Sequence, residues 1–405
     1  MIPYGRQDIS PDDIDAVVSV LRSDWLTQGP LVPRFEQAVS AYVGAAYGVA
    51  SNSATSSLQA ACKALGVGPG DRVWTSPNTF VATANAAVHC GAAVDFIDID
   101  PETYNLSPDL LAEKLEWARA SNRLPKVVIP VHFAGQPCDM PRIHALGLEY
   151  GFKIIEDASH AIGASYTGPL QTVNGIDSNN LLGSTVHKVG SCAHSDITIF
   201  SFHPVKIIST GEGGMAMTNN PYLAEQMILH RSHGITNKAE RMVDRPSDEI
   251  WNYQQIEIGF NHRMTDIQAA LGISQLKRIP DFLVKRRQIA TRYDSRLAKL
   301  PVILPKQRSQ NQSSFHLYPI RIRHSLCNRV QRQVYYALTQ AGIGANLHYI
   351  PVYLQPFYSQ FGFPPGYCVE SERYYKETIS LPIFPILASG DQQKVVDCLT
   401  LTLTQ

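Results

Sequence analysis

The 405-residue chain lacks any excess of charge, since 35 Lys and Arg residues balance 35 Asp and Glu residues. An even balance removes the usual electrostatic motive for binding nucleic acid or an anionic membrane, so the expected partner is a small molecule. No apolar run approaches the ~20 residues that span a bilayer. The opening Met1-Ile2-Pro3-Tyr4-Gly5-Arg6 has no basic-then-apolar secretory pattern. The seven cysteines, at positions 62, 90, 138, 192, 327, 368 and 398, are odd in number, and no two form a C-x-x-C pair. That spacing argues against a disulfide framework and a structural zinc site, and for a reducing compartment. A cytoplasmic location without a bound metal is therefore expected. Internal repeats and low-complexity segments are missing as well.

What is present is an alternation. Ser10-Pro11-Asp12-Asp13 combines an N-cap, a proline at the first helical position and first-turn acids, and the spacing predicts a helix with Ile14, Val17, Val18 and Leu21 on its buried face. Helical patterns near 55–65 and over 82–89 then alternate with short apolar runs at 72–75, 94–97, 127–131 and 153–155. Strands that are apolar throughout and separated by helices predict a parallel sheet covered on both faces. The charged stretch 236–248 is expected to be an exposed loop. Thr265-Asp266-Ile267-Gln268 reads as a capping box opening a helix that Pro280 interrupts. A strand over 315–322 and a helix over 329–340 suit a small α+β domain. The expected division is 1–262 for a large domain and 263–405 for linking helices and the small one.

Ligands of open parallel sheets bind beyond the carboxyl ends of the strands. Four polar stretches fall there. Ser51-Asn52-Ser53-Ala54-Thr55-Ser56-Ser57 opens a helix, as either a phosphate cup or a plain serine-rich cap. Asp157 ends a buried strand, and suits either an anchor for a protonated ring nitrogen or a cap for the next turn. Ser201 and Lys206 follow another buried strand and precede Gly211-Glu212-Gly213-Gly214, where a desolvated amine can act on a carbonyl. Gly259-Phe260-Asn261-His262-Arg263-Met264 is polar and precedes the capping box. Phosphate cup, strand-end acid, then strand-end serine and lysine is the order a pyridoxal phosphate enzyme requires.

These stretches, together with Thr79-Phe80-Val81-Ala82-Thr83 and Glu156-Asp157-Ala158-Ser159-His160-Ala161-Ile162-Gly163, resemble the DegT/DnrJ/EryC1/StrS sugar aminotransferases over nearly the whole chain. The resemblance implies an α/β fold of the PLP-dependent transferase type I (aspartate aminotransferase-like) class, with a large, mainly parallel-sheet domain and a small α+β C-terminal domain. It implies pyridoxal 5′-phosphate as cofactor, with pyridoxamine phosphate as its amine-carrying form. It also implies a homodimer with shared active sites. By motif, Lys206 would bond the cofactor's aldehyde and move protons, and Asp157 would keep the pyridine nitrogen protonated. His160 would approach the phenolic oxygen, and Phe80 would stack on the ring. Ala54, Thr55 and Ser201 would hold the phosphate, with Asn261 supplied by the second subunit.

The same resemblance implies amino transfer from L-glutamate to C4 of a UDP-linked 4-keto-6-deoxy-N-acetylhexosamine, a pseudaminic acid type of pathway. The alternatives are another sugar or the C3 position, and a non-catalytic scaffold or regulator. A dehydratase of the same fold is disfavoured because its lysine is replaced by histidine, whereas Lys206 is present. Substrate contacts are expected at Tyr4, at Thr27, Gln28, Gly29 and Pro30, at Phe315, His316, Leu317 and Tyr318, and at His348. One departure is the long segment 167–194, where the family usually has a short turn. It is expected to be a surface loop, with a substrate-selecting flap as the alternative, and its His187-Lys188 pair to be solvated.

Overall fold

A computed structural model describes residues 1–169, 171–172, 175–176, 184–243 and 248–404. Its centre is a seven-stranded sheet built from β1 (Tyr47–Ser51), β2 (Arg72–Thr75), β3 (Ala93–Phe96), β4 (Val127–Ile129), β5 (Lys153–Asp157), β6 (Ile197–Ser201) and β7 (Gly214–Thr218), in the order β1-β7-β6-β5-β4-β2-β3. Only β7 runs against its neighbours. Beyond exposed Lys153 and half-buried Arg72 the inner strands are buried, β6 and β7 at every residue, which is why they read as continuous apolar runs. This matches the type I fold expected above.

The helices in this part of the chain are α1 (Pro11–Leu21), α2 (Leu31–Val43), α3 (Ala54–Ala64), α4 (Val81–His89), α5 (Pro108–Ala120), α6 (Met140–Tyr150), α7 (Pro221–Arg231), α8 (Asp266–Leu276) and α9 (Ile279–Leu297). Two apolar clusters form around the sheet. Phe35, Trp74, Ile154, Phe200 and Phe282 belong to one. Val49, Leu58, Val73, Ile155 and Ile199 belong to the other. Pro280 opens α9, and Thr265 and Gln268 make the expected capping box.

A third cluster, formed by Ile2 and residues from Ile289 onward, surrounds a three-stranded sheet of β8 (Val302–Ile303), β9 (Tyr318–Ile322) and β10 (Thr378–Leu381). Helices α10 (Gln331–Gln340), α11 (Val369–Glu377) and α12 (Ser389–Thr404) follow in sequence around it.

Three expectations need correction. In α1 the buried residues are Asp13 and Val20, while Ile14 and Leu21 are more than half exposed. The Asp13 carboxylate sets this rotation. It accepts bonds from the Ser10 N–H (2.8 Å), from Gln275 Nε2 (2.6 Å) and from Arg278 Nη1 (3.1 Å), and so turns its own face toward α8. The strand expected over 315–322 begins only at Tyr318, because Phe315 has a left-handed φ of 48° that breaks the extension.

The long segment 167–194 is not a plain loop. Ser165–Pro169 pairs antiparallel with Ser184–Lys188 and, on its other edge, with Asn311–Gln312. The tip, including 177–183, lies outside the described residues. Lys188 is exposed, as expected of a solvated residue, yet its Nζ donates to the Tyr42 carbonyl at 2.5 Å and sits 4.4 Å over the Tyr42 ring. His187 is half-buried, with its ring 5.0 Å from that of His194.

Among the described residues no helix is long and apolar enough to cross a membrane, and no cluster of three or more His, Cys, Asp or Glu could hold a metal ion. The described parts of 236–248 begin at buried Thr236, which ends a short strand (Ile235–Thr236) paired with Gln254–Gln255, and then carry a short 3-10 turn, Ala239–Arg241.

Candidate active site

Sheet register brings the strand-end residues together. Gly214 of β7 stands opposite Ser51 of β1 on one side and Ser201 of β6 on the other, and Ile199 of β6 stands opposite Asp157 of β5. The carboxyl ends of β1, β5 and β6 thus share one edge, and a cleft of about 1020 Å³ opens there. Its lining includes Tyr4, Ala54, Thr55, Phe80, Asp157, His160, Ser201, Lys206 and His348, nine of the residues expected from the sequence.

Helix α3 presents its N-terminus to this cleft. Ser53 caps it by accepting from the Ser56 N–H (3.2 Å), which leaves the first-turn N–H groups of Ala54 and Thr55 without a helical carbonyl. Such groups at the positive end of a helix dipole suit an anionic phosphate. Gly214 makes the approach possible, because a Cβ there would run into the backbone of Ser53 and Ala54.

Asp157 is buried and oriented from both sides. Thr83 Oγ1 donates to its Oδ2 at 2.6 Å, and the Ser159 hydroxyl and N–H donate to its Oδ1 at 2.6 and 3.1 Å. Thr79, just before α4, and Thr83 in its first turn are joined hydroxyl to hydroxyl at 2.8 Å. A carboxylate fixed in this way suits a buried cationic N–H. Neither Thr83 nor Ser159 was expected as a site residue, although the i, i+4 threonine pair lay inside a motif already singled out.

Lys206 lies beyond β6. Burial pushes its amine down to about 8 from the ordinary lysine value, against an opposing pull from Asp157. Such an amine is partly neutral near pH 7 and able to attack a carbonyl. His160 is held well below the usual histidine value by burial first, then by Lys206 and His348. Its Nδ1 is buried without a partner among the described residues, while Nε2 lies 3.3 Å from the Tyr349 hydroxyl. His348 falls to about 3, through burial and then Lys206, and its Nδ1 lies 2.9 Å from Ser380 Oγ.

Tyr349 is the residue that sequence reasoning most clearly missed. Its ring lies 6.3 Å from His160 at a 20° tilt and 6.4 Å from Phe80.

Other expected residues are not brought to this cleft. Thr27 bridges to Thr265, and the Gly29 N–H donates to the buried Asp266 carboxylate at 2.6 Å, so Thr27, Gln28, Gly29 and Pro30 are tied to the start of α8. Tyr318 is core, with its hydroxyl on Asp294 Oδ1 (2.5 Å), and Leu317 packs among Tyr104, Phe133 and Tyr374. Phe315 does not line the cleft, and His316 sits behind His160 at 4.4 Å between ring centroids. Asn261 is exposed and stands outside the cleft of its own chain.

The DegT/DnrJ/EryC1/StrS aminotransferase family matches residues 7–400. The spore coat polysaccharide biosynthesis protein SpsC of Bacillus subtilis is 36% identical over 399 residues, 98% of this chain and 95% of that protein. A UDP-4-amino-4,6-dideoxy-N-acetyl-beta-L-altrosamine transaminase of Campylobacter jejuni is 36% identical over 402 residues, 98% and 96% of the two chains. Among solved structures, the Helicobacter pylori PseC aminotransferase, involved in the biosynthesis of pseudoaminic acid, superposes with a TM-score of 0.85 at 29% identity, covering 100% of this chain and 99% of that one.

Proposed function

The chain belongs to the DegT/DnrJ/EryC1/StrS aminotransferase family, and on that premise we propose that it moves an amino group from L-glutamate to C4 of a UDP-linked 4-keto-6-deoxy-N-acetylhexosamine. It is a pyridoxal phosphate-dependent sugar aminotransferase. The residues of the cleft fit that cofactor. The helix terminus of α3 suits a phosphate, the doubly anchored Asp157 suits a ring N–H, the unpartnered His160 Nδ1 suits an oxygen on the ring, and the depressed Lys206 amine suits an aldehyde. Bound there, pyridoxal phosphate supplies the aldehyde that exchanges amines and a conjugated ring that spreads charge from the reacting carbon.

The protein's own groups supply the rest. Asp157 holds a proton on the ring nitrogen, oriented by Thr83 and Ser159. Ala54, Thr55 and Ser201 bind the phosphate through N–H and hydroxyl donors. Lys206, once its amine is displaced, takes a proton from the carbon of the donor amino acid and returns one to the sugar carbon. Its value near 8 suits both directions at neutral pH. Tyr4 and His348, with ring centroids 5.6 Å apart at one wall, contact the sugar.

The observation that carries this reading is that Lys206, Asp157, His160 and the α3 terminus share one cleft at one sheet edge. The substrate rests on the Campylobacter jejuni and Helicobacter pylori relatives. SpsC, equally identical, supports a second reading in which another nucleotide sugar is aminated. Adding UDP-4-amino-4,6-dideoxy-N-acetyl-beta-L-altrosamine to the cofactor-loaded protein should abolish its visible aldehyde-form band. A band that persists with this amino sugar but disappears with L-glutamate keeps the amine chemistry and favours the second reading.

We further propose a homodimer in which Asn261 of each chain completes the partner's cleft. Exposed Ile250, Trp251 and Ile258, 93%, 74% and 81% accessible beside Phe260, support an interface on that side. The balanced charge and unpaired cysteines support a cytoplasmic enzyme. Apart from Ile2, the third cluster draws its members from Ile289 onward, which supports a small C-terminal part inside the proposed 263–405. Met264, Ala269 and Ile279, which pack in the first cluster, support drawing the small part from within α9.

A further inference from the structure

His316 has no place in the mechanism above, yet the turn that carries it is tightly bonded. It is buried, and its ring centroid lies 4.4 Å from that of His160 at a 42° tilt. The turn that carries it is tied down on every side. The Ser314 N–H donates to the Gly135 carbonyl (3.1 Å), and the Leu317 N–H to the Ala134 carbonyl (3.2 Å). Ser314 Oγ donates to the carbonyl of His160 itself at 2.7 Å. From α9, Arg286 Nη1 donates to the carbonyls of Phe315, His316 and Ile383 at 3.1, 3.3 and 3.0 Å, and Arg287 Nε donates to that of Ser313 at 3.3 Å.

Phe315 holds a left-handed φ of 48°, a conformation that a bulky residue keeps only where its surroundings enforce it. Gly135, at φ +95°, is the other half of the contact, since a Cβ there would strike Ser314 Oγ.

We propose that His316 is a positioning residue for the cofactor: its ring, carried on a turn that Arg286 and Ser314 hold by the backbone, fixes the plane of His160 and closes the space on its far side. The inference rests on the reading that His160 faces the cofactor. It replaces the expectation that His316 touches substrate, because His316 does not line the cleft and His160 does.

The charged and titratable groups around His160 agree with this assignment. Lys206 and His348 act on it across the cleft, the Tyr349 hydroxyl faces its Nε2, and His316 backs it, with Arg286 in turn behind His316. Among the described residues, no carboxylate is among the groups that shift either imidazole. Burial, followed by His160, Lys206, Arg286 and His348, holds His316 well below the ordinary histidine value. A flat ring on which burial disfavours a proton is what this position supplies.

The test uses the cofactor-loaded enzyme and three variants, His160→Ala, His316→Leu and His316→Phe. The readouts are the pH midpoint of the visible absorbance of bound pyridoxal phosphate, the affinity for the cofactor, and KM for the sugar nucleotide. His316→Leu keeps the volume and loses the plane. It should move the midpoint in the same direction as His160→Ala by about half a unit, roughly a threefold change in proton affinity, and weaken cofactor binding several-fold. His316→Phe restores the flat ring and should restore both. A His316→Leu enzyme with unchanged midpoint and cofactor affinity but raised KM overturns the proposal and returns His316 to the substrate. A His160→Ala enzyme with an unchanged midpoint overturns it at its premise, the placement of His160 on the cofactor.

Discussion

The amine of Lys206 offers the sharpest quantitative test. A lysine at its ordinary value of about 10.5 is neutral in only ~0.03% of molecules at pH 7, whereas one at about 8 is neutral in roughly 9%. Only the neutral amine attacks an aldehyde, so the structure implies a capture rate at pH 7 on the order of 300-fold above that of a free lysine of equal intrinsic reactivity. The perturbation is pH itself, applied to cofactor-free protein mixed with pyridoxal phosphate. The assay is borohydride trapping at short times, with mass spectrometry reading the fraction of Lys206 labelled. The initial rate should climb about tenfold per pH unit up to pH 8 and then level off. Asp157 is the group that pulls this amine upward, so Asp157→Asn should shift the plateau to lower pH. A rate that keeps rising to pH 10, or an Asp157→Asn plateau moved to higher pH, refutes the argument that burial sets the reactivity of this lysine.

The same shift predicts a stability effect. Below pH 8 the unfolded chain holds a proton on Lys206 that the fold disfavours, so cofactor-free Lys206→Met should be more stable at pH 7, on the order of 2 kcal/mol, with the gain fading as pH rises from 8 to 10.5. Denaturant titrations at pH 7 and 10.5 check it. Glu156 is buried, which raises its carboxyl, but donors from His132 (2.6 Å), Ser195 and Thr198 outweigh burial and lower it. Its contribution is therefore present above the ordinary glutamate range and lost as pH falls through the lowered value, and Glu156→Gln should cost about 2 kcal/mol at pH 7 and less in acid. Gly214→Ala should cost about 3 kcal/mol and weaken retention of the cofactor phosphate, read by thermal melts and equilibrium dialysis. Lys206→Ala should lose turnover by several orders of magnitude while still binding pyridoxamine phosphate.

Much of the large sheet could be read from the chain because buried parallel strands and capped helices leave local marks. Arg72–Thr75 matches its apolar run residue for residue, and Thr265 and Gln268 make the capping box that their spacing implies. Lys206, Asp157 and the α3 terminus could be read for the same reason, as polar residues at strand ends. What resisted reading depends on partners far away in sequence. Asp13 overrides the apolar stripe of α1 through Gln275 and Arg278, more than 260 residues distant. His316 moves from the cleft to the back of His160 because Arg286 and Gly135 bend the chain before β9. Tyr349 directly follows His348, which was expected at the substrate, but nothing in its neighbours indicates that its hydroxyl reaches His160.

The most direct test of the central claim is transfer of the labelled atom. The cofactor-loaded enzyme is incubated with L-[15N]glutamate and a UDP-linked 4-keto-6-deoxy-N-acetylhexosamine, and the nucleotide sugar is read by mass spectrometry and NMR. The account predicts an amino sugar carrying 15N on C4, formed with 2-oxoglutarate and absent with Lys206→Ala. A nucleotide sugar that remains unlabelled, although the enzyme converts L-glutamate and exchanges its amine with the cofactor, would contradict it.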